Sequence, residues 1–247
     1  MFSYDAELLA CLQTPPDSVA GVLAMMQSID NLTVPADGLK WFNGLYFQVT
    51  QAVAARLRVG GLADAAFLAQ LDVQFARLYF DALRNSLVGE PIPDCWRALF
   101  SVRNHPGLTR IQCALAGINA HINHDLPIAI QSTCQAAALA PQHSSDQYTD
   151  YTSLNPTLDS LIEEAKHTLN VGKLGEAIPA GSVLEDTLAA WSVSAARETA
   201  WNNAELLWHL EPEAGLTAAF LDSLDGLSTV VGKVLLTPLP DLAILPD

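Results

Sequence analysis

The sequence predicts an all-α protein, and three observations support that prediction. Alanine is abundant, runs of β-branched residues are few, and apolar residues recur three and four positions apart in nearly every long segment, which is the spacing of packed helices. Half of the 247 residues are hydrophobic and only 16% are charged, so the chain can bury a sizeable core. We expect a single helical domain over residues 1–247, with about eight to ten helices and a Pro-rich tail at 237–247.

Cap residues, glycines and prolines delimit the predicted helices in order. Ser18 follows two prolines and is placed to cap a first helix at Val19, and Gly60-Gly61 is placed to end the second. Pro127 forces a break or a new helix start. Residues 142–150 are polar and are expected to form a loop. After the first helix, we expect helices over roughly 38–57, 63–87, 94–100, 108–125, 154–169, 183–210 and 214–231.

Charge and motifs exclude several classes of protein. With 12 basic and 27 acidic residues the net charge is −15, which argues against nucleic-acid partners and against an anionic membrane surface. The acidic start does not resemble a secretory signal, and the four cysteines form no C-x-x-C pair, so we expect a cytoplasmic protein with free thiols. G-x-S-x-G, P-loop and G-x-G-x-x-G motifs are absent from the sequence.

The densest polar cluster runs from Asn119 to Asp125. If it is helical, His121 and Asp125 share one face at i, i+4, and Asn119 and Asn123 share an adjoining face. The His121 and Asp125 side chains can converge on one divalent cation, or the carboxylate can orient the imidazole as a base. In the alternative, Asp125 caps a helix that begins near Leu126, and the other polar groups satisfy buried backbone.

Residues 117–129, GINAHINHDLPIA, resemble the pattern G-M-N-A-H-I-N-x-D-L-x-I-A of an uncharacterised bacterial all-helical family of unknown function. The segments 71–82, 150–155 and 195–201 are similar to further stretches of that family. His124 departs from the pattern, because the family has an apolar residue there. The resemblance implies a helical fold and brings no activity with it.

Polar residues recur at the matched positions of four segments, where a purely apolar helical core would not need them. Their convergence on one interior pocket would explain the pattern, as in bundles that build sites from facing helices. We predict catalytic roles for His121, Asp125 and Asp72. The residues predicted to bind a substrate are Asn119, Asn123, Tyr79, Asp150 and Trp201.

A metal at this pocket is a further hypothesis. His121 and Asp125, followed by Pro127, are similar to the H-x-x-x-D helix segment of bacterial zinc phospholipases and single-strand nucleases, which implies metal ligation by these two residues. The pairs Glu163/His167 and Glu205/His209 have i, i+4 spacing but are expected to be exposed partners on helix faces.

Three function classes therefore remain open. The first is an enzyme, a metal-dependent hydrolase or a lyase or cyclase, that acts on a small and largely apolar molecule by metal-assisted or His/Asp acid–base chemistry. The second is a metal-free scaffold for small-molecule binding or cyclisation. The third is a structural or interaction protein in which the polar cluster fixes helix register. The sequence does not determine the oligomeric state.

Overall fold

The computed structural model describes residues 2–170 and 192–238, which form eleven α-helices, one π-helical turn and no strand. Eight of the α-helices have eleven residues or more, which confirms the predicted all-α fold. None of the described helices is long and apolar enough to cross a bilayer. The helices are α1 Asp5–Cys11, α2 Val19–Leu32, α3 Gly38–Val59, α4 Ala65–Val88, α5 Asp94–Phe100, α6 Arg110–Ala120, α7 Leu126–Ala136, α8 Asp146–Thr152, α9 Asn155–Asn170, α10 Val193–Leu210 and α11 Ala214–Leu235.

The centre of the fold is one continuous helix made of α6, the π turn His121–Asp125, and α7. Every residue from Ile111 to Ala120 is buried, because α3, α5, α9 and α11 all pack against α6. Farther along the same helix, α4 and α10 pack against α7. A helix that is covered on all sides explains why this segment is apolar around its whole circumference.

Helices α3 and α6 approach each other closely at Gly117. A Cβ atom at this position would lie 2.3 Å from Cγ of Phe42, a distance at which atoms overlap. The absence of a side chain at Gly117 therefore lets the Phe42 ring lie directly against the backbone of α6. This contact fixes the distance between the two helices beside the π turn.

Most predicted helix limits are confirmed within two or three residues, including the cap that Ser18 provides for α2 and the end of α3 at Gly60. One expectation is wrong: the segment 142–150 is partly helical, since Ser145 caps α8. An α-helix starts beside Pro127 as expected, but it follows the π turn directly, with no loop between them. The short helix α1 was not predicted. The helix expected over 183–210 begins at Val193 in the described part of the chain. Residues 183–191 of that expectation, and the Pro-rich tail after Pro238, lie outside the described residues.

Candidate active site

The π turn aligns the polar cluster with the core. The N–H of Leu126 donates to the carbonyl of His121, five residues earlier, so the turn holds one residue more than an α-helical turn. Pro127 has no N–H to donate, and the wider turn lets the helix pass it without a break. The Asp125 side chain makes no capping bond to α7, so the alternative cap role is wrong. Its carboxylate points into the core instead.

Three donors hold the carboxylate of Asp125, which is 2% exposed. The ring Nδ1 of His121 lies 2.9 Å from Oδ2, and the indole N–H of Trp96, on α5, donates to the same oxygen over 2.9 Å. The ring Nδ1 of His124 lies 2.7 Å from Oδ1. A buried carboxylate with this many donors is stabilised in its charged form.

The protonation states of the two histidines follow from these bonds. Burial would raise the pKa of Asp125, but the hydrogen bonds from His121 and His124 lower it below its ordinary value. Burial opposes a charge on His124 as well, yet its bond to Asp125 raises the pKa of His124. Burial lowers the pKa of His121 despite its contact with Asp125. These shifts favour a protonated His124 beside the Asp125 carboxylate and a neutral His121.

A neutral His121 carries its one proton on Nδ1, where the Asp125 carboxylate accepts it. The lone pair of the imidazole is then on Nε2, which is buried and has no hydrogen-bond partner among the described residues. Five aromatic rings surround the imidazole with centroid distances of 3.5 to 6.2 Å. We call them the aromatic cage: Phe42 and Tyr46 on α3, Phe75 and Tyr79 on α4, and Trp96 on α5.

Three further buried polar atoms of the described residues lack a partner: Oδ2 of Asp72 and the hydroxyl oxygens of Tyr46 and Thr50. Tyr46 contacts the His121 ring, with centroids 4.5 Å apart. Thr50 lies one turn later on α3, close to the Tyr46 hydroxyl but without a well-formed hydrogen bond.

The carboxyl of Asp72 lies near the same tyrosine. Burial raises the pKa of Tyr46 most, and the negative charges of Asp72 and Asp125 raise it further. Asp72 is also one turn before Phe75 on α4, and Phe75 stacks on His121. Burial raises the pKa of Asp72 itself to about 7. The structure thus places Asp72 and Thr50 near Tyr46, whose ring contacts the imidazole of His121.

Of the residues predicted to bind a substrate, Tyr79 belongs to the aromatic cage, and its hydroxyl donates to Oδ1 of Asn43 over 3.4 Å. Asn119 instead donates to the carbonyl of Ser228 over 2.7 Å, and Asn123 donates to Oδ1 of Asn119 over 2.9 Å. These two amides join the central helix to α11. They do not contact the cage.

Asp150 and Trp201 lie elsewhere in the fold. The Asp150 carboxylate accepts the backbone N–H groups of Ala63 and Asp64 at 3.1 and 2.6 Å, which ties α8 to the start of α4. Trp201 packs on Tyr148 and Tyr151, and its indole donates to Glu205 over 3.2 Å. The structure does not bring either side chain to the aromatic cage, because both are used where α8 meets its neighbours.

Sequence reasoning missed His124 and four rings of the aromatic cage: Phe42, Tyr46, Phe75 and Trp96. The four rings belong to apolar helix stripes, where aromatic residues are expected as core. The polar tips of Tyr46 and Trp96 were the available signal, since a buried hydroxyl or indole N–H requires a partner. His124 was set aside because it departs from the family pattern, although its position beside Asp125 allowed the bond that the structure has.

The metal hypothesis depends on two residues, His121 and Asp125. Asp125 bonds to Nδ1 of His121, so Nε2 is the nitrogen left to ligate an ion. In the described part of the chain, no group of three or more His, Cys, Asp or Glu side chains is arranged to hold a metal. Glu163 pairs with Lys166 at 2.6 Å and Glu205 pairs with His143 at 2.8 Å, not with His167 and His209 as their spacing suggested.

The DUF5995 family model, described as a family of unknown function, matches residues 19–238. The chain belongs to this family. The match begins at the first residue of α2 and includes every residue of the aromatic cage, His121, His124 and Asp125. It confirms the resemblance found in the sequence. No curated protein and no solved structure matches the chain.

Proposed function

We propose that this DUF5995 chain is an enzyme that transfers protons on a small, largely apolar molecule, with His121 as the general base. One observation carries the proposal: the Nε2 atom of His121 is buried and unpartnered while Nδ1 is anchored to Asp125. An imidazole in this tautomer is positioned by the carboxylate and can accept a proton on Nε2. The Asp125 carboxylate then stabilises the imidazolium that forms.

Asp72 is the matching acid. Its carboxyl group has no cationic partner among the described residues, and burial raises its pKa to about 7, so much of it is protonated at neutral pH. Two carboxyl groups whose pKa values are shifted in opposite directions typically divide into an acid and a charge stabiliser. In the proposed reaction, Nε2 takes a proton from a hydroxyl or an acidic C–H, and Asp72 gives one to another atom. Exchange with water then restores both groups.

The geometry supports the acid–base form and a lyase or cyclase class over the metal-dependent hydrolase class. A third side-chain ligand for an ion is missing from the described residues near His121. Elemental analysis of untagged protein and melting curves with and without chelator separate the two forms. We expect no co-purified metal and an unchanged melting temperature, since chelation of a site metal would lower stability.

The test measures the incorporation of deuterium from D2O into small molecules, which reports proton transfer. The protein is incubated in D2O with a panel of small uncharged metabolites, and masses are followed over time. We expect the wild type to convert or deuterate at least one compound, and His121→Gln to do so more slowly by roughly 10²–10⁴-fold. His209→Gln is the matched control, because His209 is exposed on α10.

Melting curves first establish that both variants fold. If no compound changes in the presence of the wild type, or if His121→Gln retains the full rate, the acid–base proposal fails. If compounds bind and remain unchanged, the metal-free binding scaffold becomes the better description.

A further inference from the structure

Phe75 is the member of the aromatic cage that reaches the surface. The other four rings are at most 2% exposed, whereas Phe75 is partly exposed on α4. Its ring is parallel to the His121 imidazole, with 6° between the planes and 3.5 Å between the centroids. The other rings meet the imidazole at 58° to 85°. Phe75 therefore lies flat on one face of the imidazole and is also the ring of the cage that is partly exposed.

Three of the buried polar atoms without partners belong to residues that contact Phe75 or lie one turn before it on α4. Tyr46, whose hydroxyl is unpaired, has its ring centroid 5.6 Å from that of Phe75. Asp72 precedes Phe75 by one turn of α4, and Nε2 of His121 belongs to the ring that Phe75 covers. A phenyl ring can offer none of these groups a conventional hydrogen bond. Buried donors and acceptors left unpaired destabilise a fold, and functional sites are where such groups concentrate.

We propose that the Phe75 ring occupies the ligand's position: it swings outward, and a small, flat, uncharged ring compound bearing a hydroxyl or keto group takes its place on His121. This inference rests on the proposed function and names the substrate class of that site. A parallel imidazole face favours a flat ring. The oxygen substituent would pair with Nε2, Asp72 or Tyr46.

The electrostatics of the site select an uncharged compound. The charge of Asp125 is already balanced by His124, and the neutral forms of His121 and Asp72 are the ones that burial favours. An ionic ligand would enter this aromatic surrounding without a fixed counter-charge, which is costly at low dielectric. A carboxylate or an ammonium on the ring should therefore prevent binding.

The first experiment removes the Phe75 ring and tests which small compounds bind in the cavity that it leaves. Phe75→Ala is titrated with phenol, benzene, benzoate and benzylammonium, and binding is followed by the rise in melting temperature. We expect phenol to bind at least about tenfold tighter than benzene, because it pairs buried polar atoms, and the two ions to have no effect. The added change His121→Gln should weaken the preference for phenol, because it removes one of the three groups that can pair with the hydroxyl.

Phe67→Ala is the matched control. Phe67 is a buried phenylalanine of the same helix, and its ring does not stack on His121. A cavity there should accept benzene at least as well as phenol. Equal binding of phenol and benzene to Phe75→Ala, or binding of benzoate or benzylammonium, would overturn the inference.

A second experiment uses the wild type and does not depend on the stability of a variant. Phenol is added while the ring resonances of Phe75 are followed by NMR. We expect the shift caused by stacking on His121 to disappear as phenol saturates, with an affinity below that of Phe75→Ala because the closed form dominates. Unchanged Phe75 signals at saturation would contradict the displacement. If ring compounds bind but are not converted, the proposed function is contradicted and this inference is not. If the protein converts only compounds without a ring, this inference is contradicted and the proposed function is not.

Discussion

Asp125 and Asp72 show how two buried carboxyl groups of one core reach opposite protonation states. Asp125 accepts from three donors and faces the His124 cation, so its charge is retained despite full burial. In the part of the chain that the structure describes, Asp72 has an unpartnered oxygen and no adjacent cation, so burial raises its pKa to about 7. The difference lies in the neighbours, because both side chains are buried in the same helical core.

The raised pKa of Asp72 predicts how stability depends on pH. The unfolded chain loses this proton near pH 4, while the folded chain keeps it until about pH 7. The free energy of unfolding therefore falls as pH rises through that window, by up to roughly 4 kcal/mol. Asp72→Asn removes the ionisation. We expect it to match the wild type near pH 4 and to be more stable by about 2–4 kcal/mol at pH 8, as measured by urea unfolding.

Asp222→Asn, on the exposed side of α11, removes the same charge from the surface and serves as the control. It should differ from the wild type by less than about 0.5 kcal/mol at either pH. The raised pKa of His124 also contributes stability that is lost as pH rises. The wild type and Asp72→Asn share this contribution, so it cancels when their unfolding free energies are subtracted. A difference for Asp72→Asn that is constant from pH 4 to pH 8 would show that Asp72 does not titrate in this window.

At the level of helices, the site depends on the close approach of α3 to the central helix. Gly117→Ala would place its Cβ 2.3 Å from Phe42, inside the aromatic cage. Because both helices are packed on other sides, we expect the variant to lose about 2–4 kcal/mol of unfolding free energy, as overpacked cores do. Thermal unfolding and near-ultraviolet circular dichroism, which reports on the packing of the cage rings, measure this effect.

Gly226→Ala tests the same substitution where it meets no neighbour. A Cβ there has open space around it, and the position lies inside α11. The change should stabilise the protein by roughly 0.5–1 kcal/mol, since alanine is the better helix former. If Gly117→Ala is as harmless as Gly226→Ala, the contact between α3 and α6 is not tight enough to fix the cage.

The helices were largely predictable from the sequence because their signals are local. Caps such as Ser18, the stop at Gly60 and apolar spacing act within a few residues. The i, i+4 relation of His121 and Asp125 was predicted for the same reason. The π turn was not, because proline most often ends or begins a helix. The partners of His121 from α3, α4 and α5 depend on packing between distant segments, which no local pattern contains.

Across the whole molecule, the polar residues singled out by the sequence divide into two groups. His121, Asp125 and Tyr79 lie at the aromatic cage and Asp72 lies near its Tyr46 ring, and several polar atoms there have no partner among the described residues. Asn119 and Asp150 each satisfy backbone groups of a second helix or its leading loop, at α11 and at the start of α4. Buried polar residues occur both in hydrogen bonds that join helices and in functional sites, so residue type alone could not separate the two groups.

Stability and turnover should separate these groups. Asn119→Ala and Asp150→Ala each leave backbone groups unpaired and should cost about 1–3 kcal/mol by urea unfolding. They share no partner, so their costs should add within about 0.5 kcal/mol in the double variant.

His121→Ala and Asp125→Ala remove the two ends of one hydrogen bond. The sum of their separate losses of unfolding free energy should therefore differ from the loss in the double variant by about 1 kcal/mol or more. Deuterium transfer should survive the first pair and be lost in the second. Loss of transfer in a folded Asn119→Ala or Asp150→Ala protein would instead return those residues to the site, as the sequence had predicted.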